Sequence, residues 1–321
     1  MLLGFDIGGT KCAVIIGNST RDEQIDIMDK IVVPTSKPVD EMIEFLFDSA
    51  ESLMQQNKIF IQDISGIGIS CGGPLNSKRG VILSPPNLVG WDNVNIVQLT
   101  QKRFGIKTLL QNDANACAIA EWKYGAAKGY DNVIFLTFGT GMGAGLILDG
   151  RLYSGKTDLA GEIGHLRLAD SGPVGFGKAG SFEGFCSGGG IAQLAQMKVR
   201  QQLQMGKKVS FCHSLDDLPN LTAKIVAEAA YAGDEVAIDI YETCGFYLGR
   251  GLSLLIDILN PEIIVMGSIY GRAQLLLEAS MRNQIKQEAL SDSYEACIIT
   301  SAALGENIGD IAALSLAKIV S

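Results

Sequence analysis

The chain has 321 residues, enough for two domains of ordinary size. Apolar residues make up 47% and charged residues 19%, which is a globular composition and excludes a disordered chain. The net charge of −9 argues against nucleic acid as a partner, because phosphate backbones are gripped by clustered Lys and Arg. It leaves a single nucleotide open, since backbone N–H groups and a metal ion can hold one triphosphate.

The opening residues, Met1 to Gly9, lack the pattern of a secretory leader. The longest apolar stretch, 252–266, is interrupted by Asp257, Asn260, Pro261 and Glu262. It falls short of the roughly 20 apolar residues that a membrane helix needs, so no membrane association is expected. Seven cysteines are scattered without a C-x-x-C pair, which predicts free thiols in a reducing compartment and a cytoplasmic protein.

In chain order, residues 2–5 and 12–16 are short apolar runs joined by Asp6-Ile-Gly-Gly-Thr-Lys11, a predicted β-hairpin with a glycine-rich turn. Helical spacing of Met42, Ile43, Leu46, Ala50 and Leu53 predicts a helix over 39–55. Residues 64–70 read as a strand ended by Gly72-Gly73-Pro74. A short strand over 108–110 runs into Asn112-Asp113, and a helix follows over about 114–124. A second hairpin is predicted from 133–138 and 144–148, joined by Gly139-Thr-Gly-Met-Gly143. Residues 154–190 are irregular and glycine-rich, 191–205 and 222–258 look helical, 263–266 is a buried strand, and a helix over 307–318 closes the chain. Strands and helices alternate, which gives an α/β class. Two similar hairpins about 130 residues apart suggest two similar domains.

The candidate chemistry sits in the turns. Glycines between strands let backbone N–H groups approach an anion, Thr10 adds a hydroxyl, and Asp6 is placed to hold a hydrated Mg²⁺. The plain alternative is a tight hairpin whose Asp satisfies its own turn. The second hairpin, 137–145, carries two threonines and four glycines. It contains a formal G-x-G-x-x-A match, but a strand follows where a dinucleotide site requires a helix, and no Walker A sequence occurs. Asp113 stands where a strand meets a helix. It is either a helix cap or a carboxylate that accepts the proton of an attacking hydroxyl in phosphoryl transfer. Glu162, His165 and Glu183 suit a polyol, although a satisfied loop histidine and solvated carboxylates are the commoner uses. His213 is assigned no role.

Asp6-Ile-Gly-Gly-Thr-Lys11, Gln111-Asn-Asp-Ala-Asn115, Thr137-x-Gly-Thr-Gly-x-Gly-x-Gly145 and Gly161-Glu-Ile-Gly-His165 together resemble the ROK family of repressors and sugar kinases. Gly72-Gly-Pro74 and Pro86-Asn-Leu-x-Gly-Trp91 are similar to its hexose-facing loops. The resemblance covers residue 3 to about 310. It implies an actin-like ATPase fold, ribonuclease H-like, with two similar α/β domains and a cleft between them. The expected division is 1–112 with a C-terminal helix from about 305–321, against 113–304.

The resemblance implies ATP and Mg²⁺, and phosphorylation of a hexose or N-acetylhexosamine, usually at the 6-hydroxyl. Asp113 matches the catalytic base. Asp6, Gly8, Gly9, Thr10 and Lys11 match the first phosphate loop, with Asp6 reaching Mg²⁺ through water. Thr137, Gly139, Thr140, Gly141 and Gly143 match the second. Gly267, Ser268 and the Ser187–Gly190 turn fall on the purine side, and Gly73, Asn87, Asn112, Glu162, His165 and Glu183 on the sugar side. Family members commonly bind zinc through the GxxGH histidine and three cysteines. Val174, Phe176 and Ser181 stand in the place of those thiolates, so no zinc is expected. Order in that loop is then expected from packing of Phe176, Phe182 and Phe185. A homodimer is expected. The rival reading is a sugar-responsive transcriptional regulator, disfavoured because only five residues precede Asp6, too few for a helix-turn-helix.

Overall fold

The computed structural model describes residues 1–20 and 24–321. The chain divides into two compact units: Met1–Asp131, Gly145–Ala160 and Ala303–Ser321 form the first, and Asn132–Ala144 with Gly161–Ala302 the second.

The first unit opens with β1 (Leu2–Ile7), β2 (Lys11–Ser19) and β3 (Ile25–Pro34), then α1 (Val39–Gln56), β4 (Gly66–Cys71), and the minor strands β5 (Leu75–Asn76) and β6 (Val81–Ile82). It continues through α2 (Ile96–Phe104), β7 (Thr108–Asn112) and α3 (Asp113–Tyr124). Its sheet has the order β3-β2-β1-β4-β7, antiparallel through β1–β3 and parallel through β1, β4 and β7. Phe5 meets Phe47 and Phe104 at ring-centroid distances of 6.1 and 6.4 Å, in the core that α1 and α2 share with the sheet. On the other face lies α10 (Ile308–Ile319), whose Ala313, Leu314 and Ala317 pack on Leu2 and Ile15. Glycines in β4 allow this: a Cβ on Gly68 would stand 2.0 Å from the Ala313 carbonyl oxygen, and one on Gly66 2.2 Å from that of Ala317. The helix therefore lies flat against the strand backbone and begins beside the C-terminal end of β1, where a Cβ on Gly309 would stand 3.0 Å from Asp6 Oδ2.

The remaining elements are β8 (Val133–Phe138), β9 (Met142–Leu148), β10 (Arg151–Leu152), β11 (Val174–Gly175), β12 (Lys178–Ala179), α4 (Phe182–Phe185), α5 (Gly188–Gln204), α6 (Ala223–Tyr231) and α7 (Glu235–Leu259). Then come β13 (Ile263–Met266), α8 (Ile269–Glu288), α9 (Ser291–Ala296) and β14 (Ile298–Ser301). The second sheet runs β10-β9-β8-β13-β14, with β13 parallel to both β8 and β14. The division between the units falls inside β9. Both sheets thus repeat one pattern: three strands in hairpin succession, then two parallel strands beside the first.

Both expected hairpins are present, and the predicted helix over 39–55 is α1. The helical stretch over 222–258 is two helices, because Gly233 takes a left-handed φ of +90° and Asp234 caps α7 by accepting from Val236 N and Ala237 N. All seven cysteines are buried and unbridged. Among the described residues, no helix is long and apolar enough to cross a membrane.

Candidate active site

In the first unit the β1–β2 turn is held from outside. Thr35 donates its hydroxyl to the Gly8 carbonyl at 2.6 Å and its N–H to the Thr10 carbonyl at 3.0 Å. Gly9 lies flush against the loop that carries Asn87: a Cβ there would stand 2.3 Å from the Asn87 carbonyl oxygen. The turn and this loop wall a cavity of about 290 Å³, which Gly73 and Asp113 also line. Asp6, Gly8, Gly9, Thr10, Lys11, Gly73, Asn87 and Asp113 are therefore brought to one place, as the sequence suggested.

Asn112 is not part of that lining. Its side chain caps α3, accepting from Ala114 N at 3.0 Å and Asn115 N at 3.5 Å. This resolves the ambiguity at the β7–α3 junction, since Asp113 is the first residue inside the helix and the cap is its neighbour. One oxygen of Asp113 accepts from Ala114 N at 2.8 Å, and the carboxylate stands open to solvent in the cavity. The protein crowds it nonetheless, and that desolvation pushes its pKa up against the opposing pull of the Ala114 N–H. Asp6 is pushed up to about 6, first by burial, then by the charges of Asp113 and Asp310, while the Ser70 hydroxyl and Lys11 pull it down. Asp310 in turn accepts from Lys30 Nζ at 2.7 Å. Behind the carboxylates, Cys71 and Cys117 are held well above the usual thiol range, by burial first and then by Asp113 and Asp6. They are neutral spacers there, and poor nucleophiles.

A hydrated divalent cation fits this donor set. Asp6 is a carboxylate short of solvent with two more negative groups in reach, and a nearby cation relieves that directly. Among the described residues no group of three or more His, Cys, Asp or Glu could hold a metal ion. Magnesium carried on phosphate oxygens and met through water by one carboxylate needs no such group.

In the second unit the β8–β9 hairpin closes on itself. Thr137 Oγ1 accepts from Gly143 N at 3.0 Å and lies 3.3 Å from the Gly143 carbonyl oxygen, so this hydroxyl shapes the turn. Gly139 N donates to the Gly141 carbonyl at 3.1 Å, and Gly188 N to the Gly139 carbonyl at 2.8 Å. Glu183 supports the turn from below: its Oε2 accepts from Met142 N at 3.1 Å and would be 2.8 Å from a Cβ on Gly141. The glycines of Gly161-Glu-Ile-Gly-His165 serve close approach. Added Cβ atoms at Gly161 and Gly164 would stand 2.0 Å from the Ala144 carbonyl oxygen and 2.3 Å from that of Met142. The turn is thereby pressed onto β9, which fixes where Glu162 and His165 leave the backbone. Hairpin, Glu183 and the Glu162–His165 turn form one packed group.

Beside this hairpin opens a cavity of about 610 Å³, which Gly139, Thr140 and Ser268 line. Ser268 adopts a left-handed φ of +53° at the β13–α8 junction, an uncommon conformation for a residue with a side chain. Gly267, before it, donates to the Leu136 carbonyl at 3.0 Å and lies outside the lining. Ser187 caps α5 by accepting from Gly190 N at 2.9 Å, which leaves the α5 N-terminus facing the cavity through Gly188 and Gly189. The outer wall was not foreseen: Ala223, Ala227 and Tyr231 of α6 and Arg272 of α8 complete it. The mixture of apolar wall and glycine-rich rim is of the kind that takes a nucleoside with its phosphates at the rim.

The loop over 174–181 is a short hairpin, β11–β12. Phe182 and Phe185 are buried as expected, but Phe176 is 65% exposed and packs only edge-on to His165, with ring centroids 5.2 Å apart. Hydrogen bonds do the rest: Gln193 both accepts from Val174 N and donates to the Val174 carbonyl, each at 2.9 Å.

A family model described as ROK family matches residues 2–320. The glucokinase of Streptomyces coelicolor is 28% identical over 322 residues, covering 99% of this chain and 98% of its own. The xylose repressor of Caldicellulosiruptor bescii is 27% identical over 292 residues, 90% of this chain and 70% of its own. Among solved structures, a ROK family glucokinase from Streptomyces griseus in complex with glucose and AMPPNP superposes with a TM-score of 0.77 at 26% identity, covering 99% of both chains. The fold is that of the actin-like ATPases.

Proposed function

Because this chain belongs to the ROK family, we propose that it is a sugar kinase that transfers the γ-phosphoryl group of ATP to the 6-hydroxyl of a hexose or N-acetylhexosamine. The observation that carries this reading is Asp113: relieved of capping by Asn112, raised in pKa by desolvation, and opening into a cavity beside Asp6 and a glycine turn. A carboxylate so placed accepts the proton of the sugar hydroxyl as its oxygen bonds to the γ-phosphorus and the bond to the β-phosphate oxygen breaks. Gly8, Gly139, Met142 and Gly143 spend their N–H groups on partners within the protein, so it is the N–H groups of Gly9 and Thr10 in the first turn, and of Thr140 and Gly141 in the second, that are suited to negative phosphate oxygens. Bound Mg²⁺, met through water by Asp6, would supply further neutralisation of the β- and γ-phosphates. The 610 Å³ cavity of the second unit is assigned to the nucleoside. Glu162 and His165 are assigned to sugar hydroxyls. Glu183, whose Oε2 is engaged by Met142 N, is assigned first to shaping the phosphate turn.

The match to a xylose repressor supports a second reading, a sugar-responsive regulator that binds the sugar without turnover. A coupled assay with ATP over a panel of hexoses and N-acetylhexosamines separates the two. Turnover with at least one sugar is expected, whereas sugar binding without turnover on any of them would favour the regulator. A homodimer in the cytoplasm remains part of the proposal, to be checked by light scattering.

A further inference from the structure

The β11–β12 hairpin reaches His165 at both ends of the residue. Lys178 Nζ donates to the His165 carbonyl at 2.7 Å, and the Phe176 ring stands at 87° to the imidazole with centroids 5.2 Å apart. The hairpin is itself anchored, through the paired hydrogen bonds between Gln193 and Val174 and by the buried α4 that follows it. At its tip, Phe176 is held at a φ of +40°, a conformation that glycine adopts freely and phenylalanine resists. Gly177, next in sequence, has a φ of +75°. Two successive left-handed residues make the tight turn that favours glycine or asparagine at both places. A 65% exposed aromatic ring at such a position is costly for folding and gains almost nothing from burial. Among the described residues, the ring it meets is the His165 imidazole.

We infer that Phe176 is a positioning residue that sets the orientation of the His165 imidazole, and through it the affinity for sugar. This rests on the reading that His165 faces the sugar. Edge-to-face packing holds the imidazole plane, and the Lys178 hydrogen bond holds the backbone from which it projects, so the ring is poised before sugar arrives.

The decisive variant is Phe176→Gly, because it removes the ring while easing the backbone. If Phe176 served only the fold, Tm and function would decline together. Positioning predicts that they part: Tm unchanged or raised, KM for sugar raised about three- to tenfold, kcat and KM for ATP unchanged. Phe176→Tyr, which restores the ring, should restore KM. A second readout needs no turnover. The chain has two histidines, so the imidazole signals of His165 and His213 are separable by NMR, and Phe176→Gly should move those of His165 and leave those of His213 in place. An unchanged KM, or a raised KM with a lowered Tm, overturns the inference. If the wild type phosphorylates no sugar, the kinase reading fails, and the NMR comparison alone then decides the contact: unmoved His165 signals overturn it.

Discussion

Replacing Asp6 by Asn tests the electrostatics of the first cavity through stability. Desolvation and the neighbouring Asp113 and Asp310 raise the Asp6 pKa from 3.8 to about 6 in the folded protein. At about 1.4 kcal/mol for each tenfold change in proton affinity, ionised Asp6 weakens the fold by about 3 kcal/mol. The sign follows from the direction. A carboxyl with a raised folded pKa adds stability below pH 3.8, loses it as pH rises toward 6, and leaves none above. Asp6→Asn cannot ionise, and its side-chain oxygen still accepts from Ser70. The variant should match the wild type near pH 4 and exceed it by up to about 3 kcal/mol at pH 7.5, about 6–12 °C in Tm for a unit of this size. The assay is calorimetric unfolding of both proteins without nucleotide or Mg²⁺, from pH 4 to 8. Kinase turnover should fall at the same time, because the carboxylate that meets Mg²⁺ is gone. A variant less stable than the wild type at pH 7.5, or a difference independent of pH, would refute the reasoning.

The other predictions concern the turns. Gly9→Ala places a methyl 2.3 Å from the Asn87 carbonyl oxygen, so one of the two loops must move; kcat/KM should fall at least about tenfold, with global unfolding shifted by only about 1–3 kcal/mol. Glu183→Ala removes the acceptor of Met142 N, at a cost of about 1–3 kcal/mol, and steady-state kinetics should show a raised KM for ATP. Thr137→Val removes the hydroxyl that binds both the N–H and the carbonyl of Gly143 and should raise KM for ATP with little change in KM for sugar. Raising Mg²⁺ at fixed pH should stabilise the wild type more than Asp6→Asn in thermal unfolding, since the cation's relief acts on the ionised carboxylate.

Much of the frame was legible because it is periodic. Helix α1 shows its buried stripe in the spacing of Met42, Ile43, Leu46, Ala50 and Leu53, and the two hairpins show themselves as apolar runs around glycine turns. Strand β3 escaped because Asp26, Asp29 and Lys30 break up its apolar residues without regular alternation, and its pairing with β2 shifts register between Ile16 and Gly17. Helix α8 was legible and missed: Ala273, Leu277, Met281 and Ile285 recur at the four-residue spacing of a helix face, blurred by the exposed Leu275 beside them. Missing it hid Arg272, and with it part of the wall of the 610 Å³ cavity.

At the site, the residue types were legible but their division of labour was not. Asn112 and Asp113 are equally good caps by composition, and only the backbone at the β7–α3 junction makes Asn112 the cap. Glu183 supports a turn some forty positions earlier, a pairing that no local pattern encodes. The glycines of the Gly161–His165 turn announce a close approach, but the surface they approach, the backbone of β9, appears only in three dimensions.

The measurement closest to the central claim compares wild type with Asp113→Asn on whichever sugar the panel identifies, with turnover followed by a coupled assay and sugar binding by calorimetry. If Asp113 is the base, kcat falls by about 10²–10⁴-fold while the sugar Kd stays within a few-fold of wild type. Near-normal kcat in Asp113→Asn would remove Asp113 from that role and with it the proposed reaction path.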